Sequence, residues 1–452
     1  MAGTTNTSQQ TGVAGGHDQY HKGRLFLISV LALVSTGVSF SMRSNIAGDL
    51  QNIFNTIDPL RSGKMVGAVL GVAFLGYAIT IPIASALLDI IKMGRILQIC
   101  SALLTVGTLM VVLSDRMVTG TSLYPMLYVA FLVLGLGWGL VEAVINPLAT
   151  TLYPEDKTHR LNVLHAWWPG GIIIGGLLGL AMGGMQMGWK VKMAVTLIPM
   201  VIFGLWALVE KFPMTERAAA GVKTSAMLKE AFKPLYIILF ICMFGTAASE
   251  LAPGQWVDMT LTRTVGMRGI WLLIYVSGLM FIMRHFAGTI VNKLNPIGLM
   301  WLSCLLAALG LGALSIANNP VMAILAATLW GSGVCFMWPT MYAITNEQFP
   351  KGGAFLMGLI GMAGCLSIYF VLPQMGRVFD IVKISAAGGN EAFKALEVSG
   401  GQALGNVLAT ASQVSFRVVA ILPAVLLIVF GAIWFYFKAK GGYKPVKIDD
   451  IV

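Results

Sequence analysis

Charge is what this sequence has least of. Asp, Glu, Lys and Arg together make up 11% of its 452 residues, against roughly a quarter in an ordinary soluble domain. Apolar residues make up 57%, and the mean hydropathy is +0.81. A soluble fold of this length has nowhere to hide so much apolar surface, since even a domain of about 300 residues buries only about three quarters of its unfolded area. The scarcity of charge excludes a soluble enzyme, a disordered protein and a nucleic-acid-binding domain. Cysteine and histidine are sparse too, at five each. Cys100, Cys242, Cys304, Cys335 and Cys365 sit inside apolar runs, unpaired at metal spacing, so neither a disulfide framework nor a zinc site is expected. Among the histidines only His17 and His21 stand at helical spacing, in a polar stretch. No catalytic constellation emerges and no Walker A sequence is present, which argues against an enzyme, a resident cofactor or metal, and ATP as the direct energy source.

What the sequence does have is long apolar runs. They are continuous over twenty or more residues, whereas the strands of a membrane barrel alternate apolar and polar. The expectation is an all-α polytopic membrane protein. Twelve spans are long enough to cross the ~30 Å hydrocarbon core: 25–48, 63–90, 95–114, 123–152, 160–185, 191–211, 234–257, 267–292, 297–317, 320–346, 352–375 and 415–438. An even number puts both termini on one side. That side holds more Lys and Arg, so the positive-inside rule places both termini in the cytoplasm. The surplus of 30 Lys and Arg over 19 Asp and Glu then needs no nucleic acid. The chain divides into a polar tail at 1–22, expected to be disordered, a six-helix bundle at 23–211, a charged linker at 212–233, a second six-helix bundle at 234–438 and a tail at 439–452. A weak repeat supports the division. At an offset of 196, Gly135 matches Gly331, Gly137 matches Gly333, Tyr153 resembles Phe349 and Pro154 matches Pro350. Residues 376–414 interrupt the second half on the opposite side, with Gly-Gly pairs around a short helical stretch.

An ionisable group at bilayer depth costs at least about 2.5–3.5 kcal/mol on insertion scales, so each needs a reason. Glu142 lies past the middle of the fourth span, four residues ahead of Asn146-Pro147. Desolvation disfavours a charged carboxylate, which suits a buried carboxyl to carrying a proton; the alternative is a structural partner for an arginine or an amide. His165, on the antiparallel fifth span, can donate to a hydroxyl, exchange a proton or pair with Glu142, or be structural. Trp167 and Trp168 point to different faces, one of them able to stack on a sugar ring or simply to pack; Trp338, before Pro339, is a similar candidate. Arg43 sits near the outer end of the first span beside Asn45, either snorkelling or contacting an anion or hydroxyl. Glu250 precedes Pro253-Gly254, which are expected to break the seventh span and expose a cavity wall including Gln255 and Trp256. Arg284, in the inner half of the eighth span, is too deep to snorkel and calls for a partner. Asn346 and Glu347 suit gate or loop contacts.

These residues resemble the major facilitator superfamily, and within it the branch of fucose, galactose and glucose/proton symporters. The match is carried by Gly135-Leu-Gly137, then Glu142-Ala-Val-Ile-Asn146-Pro147, then Arg160-Leu-Asn162. The branch shows the same order, and its span-four glutamate couples protons, so the resemblance implies that role for Glu142. Where His165 and Trp168 stand, the branch has a sugar-binding glutamine and an asparagine, so fucose itself is not carried over. MRHFAG (283–288) is similar to the span-eight Gly-Arg-Phe-x-Gly element. LLDIIKMGR (87–95) is similar to the gate of cytoplasmic loop 2–3, which sets Asp89 and Arg95, with Arg284, among the gating candidates; the spacing from Asp89 to Gly94 is longer than usual. The branch's functional aspartate in span one is replaced by Ser44, which leaves Glu142 to act alone or with His165.

The resulting expectation is a proton-coupled importer of a monosaccharide or similar polyhydroxy solute, a monomer embedded in the lipid bilayer, in the inner membrane if the cell is bacterial. Its two halves would rock around a central site. Glu142 and His165 would carry the proton; Arg43, Asn45, Asn146, His165, Trp168, Glu250, Gln255, Trp256 and Trp338 would contact the solute. Arg43, Arg284 and His165 leave an anionic sugar acid open as the alternative substrate, and a uniporter or a non-transporting sensor as alternative modes.

Overall fold

The computed structural model describes residues 20–58, 62–88, 90–221, 223–265 and 269–447. The tail expected at 1–22 falls almost wholly outside them. Lipid offers no partner for a backbone amide, so each apolar run satisfies its own backbone as a helix. The first half comprises α1 (Lys22–Asn45), α2 (Ser62–Leu87), α3 (Met93–Val112), α4 (Leu123–Leu152), α5 (Lys157–Gly184) and α6 (Trp189–Val209). The second comprises α7 (Pro234–Val265), α8 (Gly269–His285), α9 (Ala287–Leu314), α10 (Pro320–Val334) with α11 (Met337–Gln348), α12 (Gly353–Ala387), α13 (Asn390–Ser399) and α14 (Gly401–Ala439). Among the described residues, 11 helices are long and apolar enough to cross a membrane, and α8, with 17 residues, is the shorter twelfth span.

Glycine sets how closely these helices approach. α1 crosses α5 at Gly37 and Gly171, where a Cβ on Gly171 would lie 2.6 Å from the Val34 carbonyl oxygen and 3.0 Å from Gly37 Cα. The sequence repeat has a packing counterpart. Gly135 faces α2 and Gly137 faces α3; at the matching places Gly331 faces α8 and Gly333 faces α9. The residues that end the two spans also agree, Tyr153 at φ −133°, ψ 66° and Phe349 at φ −133°, ψ 57°. The fourth and tenth spans are thus built alike, each seated on the two helices before it. The halves meet along α2 with α12 and α5 with α8. Both described ends of the chain reach one face, called here the terminal face. There the Arg24 guanidinium meets the Glu210 carboxylate at 3.4 Å, and the Gln348 amide donates to the Lys444 carbonyl at 2.9 Å.

Three expectations are corrected. Pro253-Gly254 does not break the seventh span: α7 runs through it to Val265. The carbonyl that loses its partner to Pro253 is that of Ser249, four residues back, and the Trp330 indole N–H donates to it at 2.9 Å. The tenth span, expected as one helix, is two, separated at Cys335 and Phe336. The stretch 376–414 does hold the short helix expected between its Gly-Gly pairs, but the flanking spans do not end at 375 and restart at 415. α12 continues to Ala387 and α14 begins at Gly401, with α13 between them. Gly388 and Gly400, at φ 88° and 65°, supply the left-handed turns at either end. At about 1.5 Å per residue the 35-residue α12 is about 52 Å long, some 20 Å more than the hydrocarbon core. The hairpin beyond the membrane has its own small core of Phe379, Phe393, Val407, Leu408 and Ala411.

The close crossing at Gly171 is testable. Gly171→Leu should cost about 1–3 kcal/mol through overpacking and lower the melting temperature of the purified protein in detergent. Gly183→Leu, on the same helix with nothing within 4 Å, should leave it unchanged.

Candidate functional site

Side chains of eight spans converge on one cavity at mid-depth. It is lined by Thr36, Phe74, Tyr77, Trp138, Glu142, His165, Trp168, Glu250, Leu251, Arg284, Trp338 and Cys365. Its volume is about 50 Å³, room for a few water molecules and well short of the roughly 300–1,000 Å³ of pockets for larger ligands. The surrounding side chains must therefore move apart to admit a ring-sized solute.

Arg284 lines the cavity and is only 1% exposed. Its Nη2 donates to Glu250 Oε1 at 2.9 Å, its Nη1 to the His165 backbone carbonyl at 2.7 Å and its Nε to the Cys335 carbonyl. Both carbonyls have the same origin. In an α-helix the carbonyl of residue i accepts from the amide of residue i+4, and proline has none. Pro169 stands four after His165, and Pro339 four after Cys335. The two prolines release the two acceptors that a buried guanidinium needs. The second oxygen of Glu250 is buried without a hydrogen-bond partner.

A second chain of polar groups runs through the first half. Asn146 Nδ2 donates to Glu142 Oε2 at 2.6 Å and to the Glu142 carbonyl at 3.0 Å. Its Oδ1 lies 2.7 Å from His165 Nε2. With the amide nitrogen turned to the carboxyl, Oδ1 can only accept, so His165 Nε2 carries the proton and donates. His165 and Glu142 lie 3.8 Å apart, bridged by the asparagine. Helical spacing dictates this, since Glu142 and Asn146 are four apart on one face.

The walls are aromatic. Trp168 packs on Phe40 at 5.4 Å and edge-on to Trp138 at 6.3 Å between ring centroids, and Trp338 packs edge-on to Tyr342 at 6.1 Å. Toward the terminal face the halves close in two tiers. Tyr77 and Tyr342 bring their hydroxyls to 3.3 Å. Below them Glu347 accepts from the Thr158 hydroxyl and, at 2.7 Å, from the Tyr443 phenol. Desolvation, reinforced by Glu347, raises the Tyr443 phenol well above its ordinary pKa, so it stays a donor.

Of the residues singled out in the sequence, Glu142, His165, Trp168, Glu250 and Trp338 line the cavity, with Asn146 directly behind Glu142. Arg284, grouped with the gating candidates, also lines the cavity, where Glu250 and the two freed carbonyls hold it. Arg43 lies behind Trp138, and Asn45 fills the space beside Gly179 between α1 and α5. Arg95 is exposed at the start of α3. Asp89 and the side chains of Gln255 and Trp256 lie outside the described residues. Tyr77, Trp138 and Tyr342 went unnoticed in the sequence; Trp138 and Tyr342 each stand one helical turn from an expected site residue, Glu142 and Trp338, and that spacing is the signal that finds them.

The sequence profile of the Major Facilitator Superfamily matches residues 25–371. No curated protein matches the chain in sequence. Among solved structures, the fold is similar to that of the proton:xylose symporter XylE bound to 6-bromo-6-deoxy-D-glucose, with a TM-score of 0.69 at 13% identity over 91% of this chain and 95% of that one. It is similar to the E. coli fucose:proton symporter FucP, with a TM-score of 0.61 at 17% identity over 88% and 98% of the two chains. It is similar also to the human organic anion transporter MFSD10, with a TM-score of 0.66 at 12% identity over 90% and 99%.

The buried pair yields a prediction. Arg284→Met leaves Glu250 charged and alone, which should cost about 3–5 kcal/mol. Adding Glu250→Gln should restore much of that loss, read as melting temperature in detergent. A loss in the double variant equal to the sum of the losses in Arg284→Met and Glu250→Gln would show that the pair is uncoupled.

Proposed function

Because the chain belongs to the Major Facilitator Superfamily, and is a transporter rather than an enzyme, we propose that it couples the movement of protons to that of a monosaccharide or similar polyhydroxy solute by alternating access. The observation that carries this reading is the buried carboxyl of Glu142, facing the cavity and joined through Asn146 to His165. Arg284 is paired with Glu250, which leaves Glu142 as the cavity carboxyl without an arginine or lysine of its own among the described residues, a group able to take up a proton and give it back as the cavity opens to either side.

Protonation also changes the hydrogen bonds. A protonated Glu142 donates to the Asn146 oxygen once that amide turns over; the amide N–H then faces His165 Nε2, which accepts it only in the other imidazole tautomer, with the ring proton moved to Nδ1. The state of Glu142 is thereby passed to the helix whose carbonyl holds Arg284, and so to the contact between the halves. The free oxygen of Glu250 would accept a hydroxyl, and the indoles of Trp168 and Trp338 offer faces for a sugar ring. The symporters of xylose and fucose that share the fold support a sugar-like cargo. The surplus of Lys and Arg on the terminal face supports cytoplasmic termini; the proposed setting is the inner membrane if the cell is bacterial, and the proposed working unit is a monomer.

Uptake into proteoliposomes tests this reading. With a panel of labelled hexoses, pentoses and their derivatives, an inward proton gradient should drive accumulation of at least one solute. Glu142→Gln should abolish the accumulation yet retain exchange of that solute across the membrane. Uptake indifferent to both gradient and substitution would make the protein a uniporter.

A further inference from the structure

Arg43 is a second buried guanidinium, 3% exposed, and unlike Arg284 it has no carboxylate partner among the described residues. Its Nη2 donates to the Leu70 backbone carbonyl. Its face stacks on Trp138 at 4.7 Å and Phe131 at 5.1 Å from the ring centroids. Nε and Nη1 are buried without a hydrogen-bond partner. The same holds for Ser39 Oγ, one helical turn earlier on α1, and for Trp138 Nε1. Buried donors left unpaired are costly, and four of them here belong to three neighbouring residues with no acceptor assigned. The Trp138 indole is both a wall of the cavity and the partition in front of Arg43, and no hydrogen bond fixes its ring.

Charge decides what these donors are for. Around the cavity stand two cations, Arg43 and Arg284, and two carboxyls, Glu142 and Glu250; His165 and the Tyr77–Tyr342 pair contribute hydrogen bonds without counting as charge. With both carboxyls ionised the interior is balanced. A proton on Glu142 alone leaves one uncompensated positive charge at mid-membrane, which a neutral sugar does nothing to correct. We infer that the cargo is a sugar acid bearing a single carboxylate, which pairs with Arg43 while the hydroxyls face Glu250 and His165. Proton and monoanion then load together and the interior stays neutral whether empty or filled. A phosphate ester, with nearly two charges, would overshoot. The inference rests on Glu142 being the proton carrier and goes further in naming the cargo's charge.

The test uses the full chain in proteoliposomes, with labelled D-glucuronate, D-glucose and glucose 6-phosphate, an inward proton gradient and a membrane potential set by potassium and valinomycin. The expected result is gradient-driven glucuronate accumulation whose rate does not rise with an inside-negative potential. D-glucose and glucose 6-phosphate should compete poorly. Arg43→Gln should raise the KM for glucuronate about tenfold or more, as loss of a charge-assisted pair does, and Arg43→Lys should recover part of it. Glucose accumulation accelerated by an inside-negative potential, with glucuronate inert, would overturn the inference and leave proton symport standing. Uptake of every solute indifferent to the proton gradient would overturn the proton-carrier reading itself, and the inference with it.

Discussion

A guanidinium held at the centre of a lipid-embedded bundle is the constraint on which the rest of this structure depends. Such a charge persists only if every side of it is satisfied. Arg284 meets the requirement with one carboxylate and two backbone carbonyls, and the carbonyls are available because Pro169 and Pro339 withdraw the amides that would otherwise occupy them. The prolines do more than bend helices: they decide where in a helix the backbone can act as a ligand. Pro253 follows the same logic, its freed Ser249 carbonyl taken by the Trp330 indole. Three prolines on three spans thus create three ties between helices in a medium where water cannot serve.

The glycines and the aromatics divide the remaining work. Glycine pairs such as Gly37 with Gly171 bring backbones to near contact, where hydrophobic burial gives no net drive because lipid is as apolar as the core. The aromatics collect where the helices stand apart, around the cavity, and give it flat walls. Polar groups then occupy the positions between the walls. This separation of small residues at crossings from large ones at the cavity is what leaves a polar chamber inside an apolar bundle.

Much of this was legible in the sequence, and unevenly so. Apolar runs marked all twelve spans, because lipid tolerates little else. Glu142, His165 and Glu250 stood out because a charge in such a run is expensive, and the cavity is where such groups can be satisfied. The depth of Arg284 was legible but not its role, since its partners are two carbonyls that no side-chain pattern announces; the prolines four residues on announce them only once the arginine is known to be near. Pro253 misled for the same reason. A helix continues through proline when a neighbour takes the released carbonyl, and Trp330 is far away in the chain. In 376–414 the glycine pairs and the short helix between them were legible, but not that the helices on either side continue up to those glycines. Tyr77 and Tyr342 were hidden among apolar neighbours, and only the meeting of two distant spans makes them a pair.

The hairpin formed by α12, α13 and α14 is a rigid extension of the second half. Two membrane helices continue into it without interruption, and its own apolar core fixes them to each other. Such an arm magnifies rotation. A small tilt of the second half about the cavity becomes a larger sweep at the tip, in proportion to the distance from the pivot. The protein thereby carries its own pointer, and a fluorophore placed near α13 would register the orientation of helices that are themselves buried in lipid and inaccessible to any label.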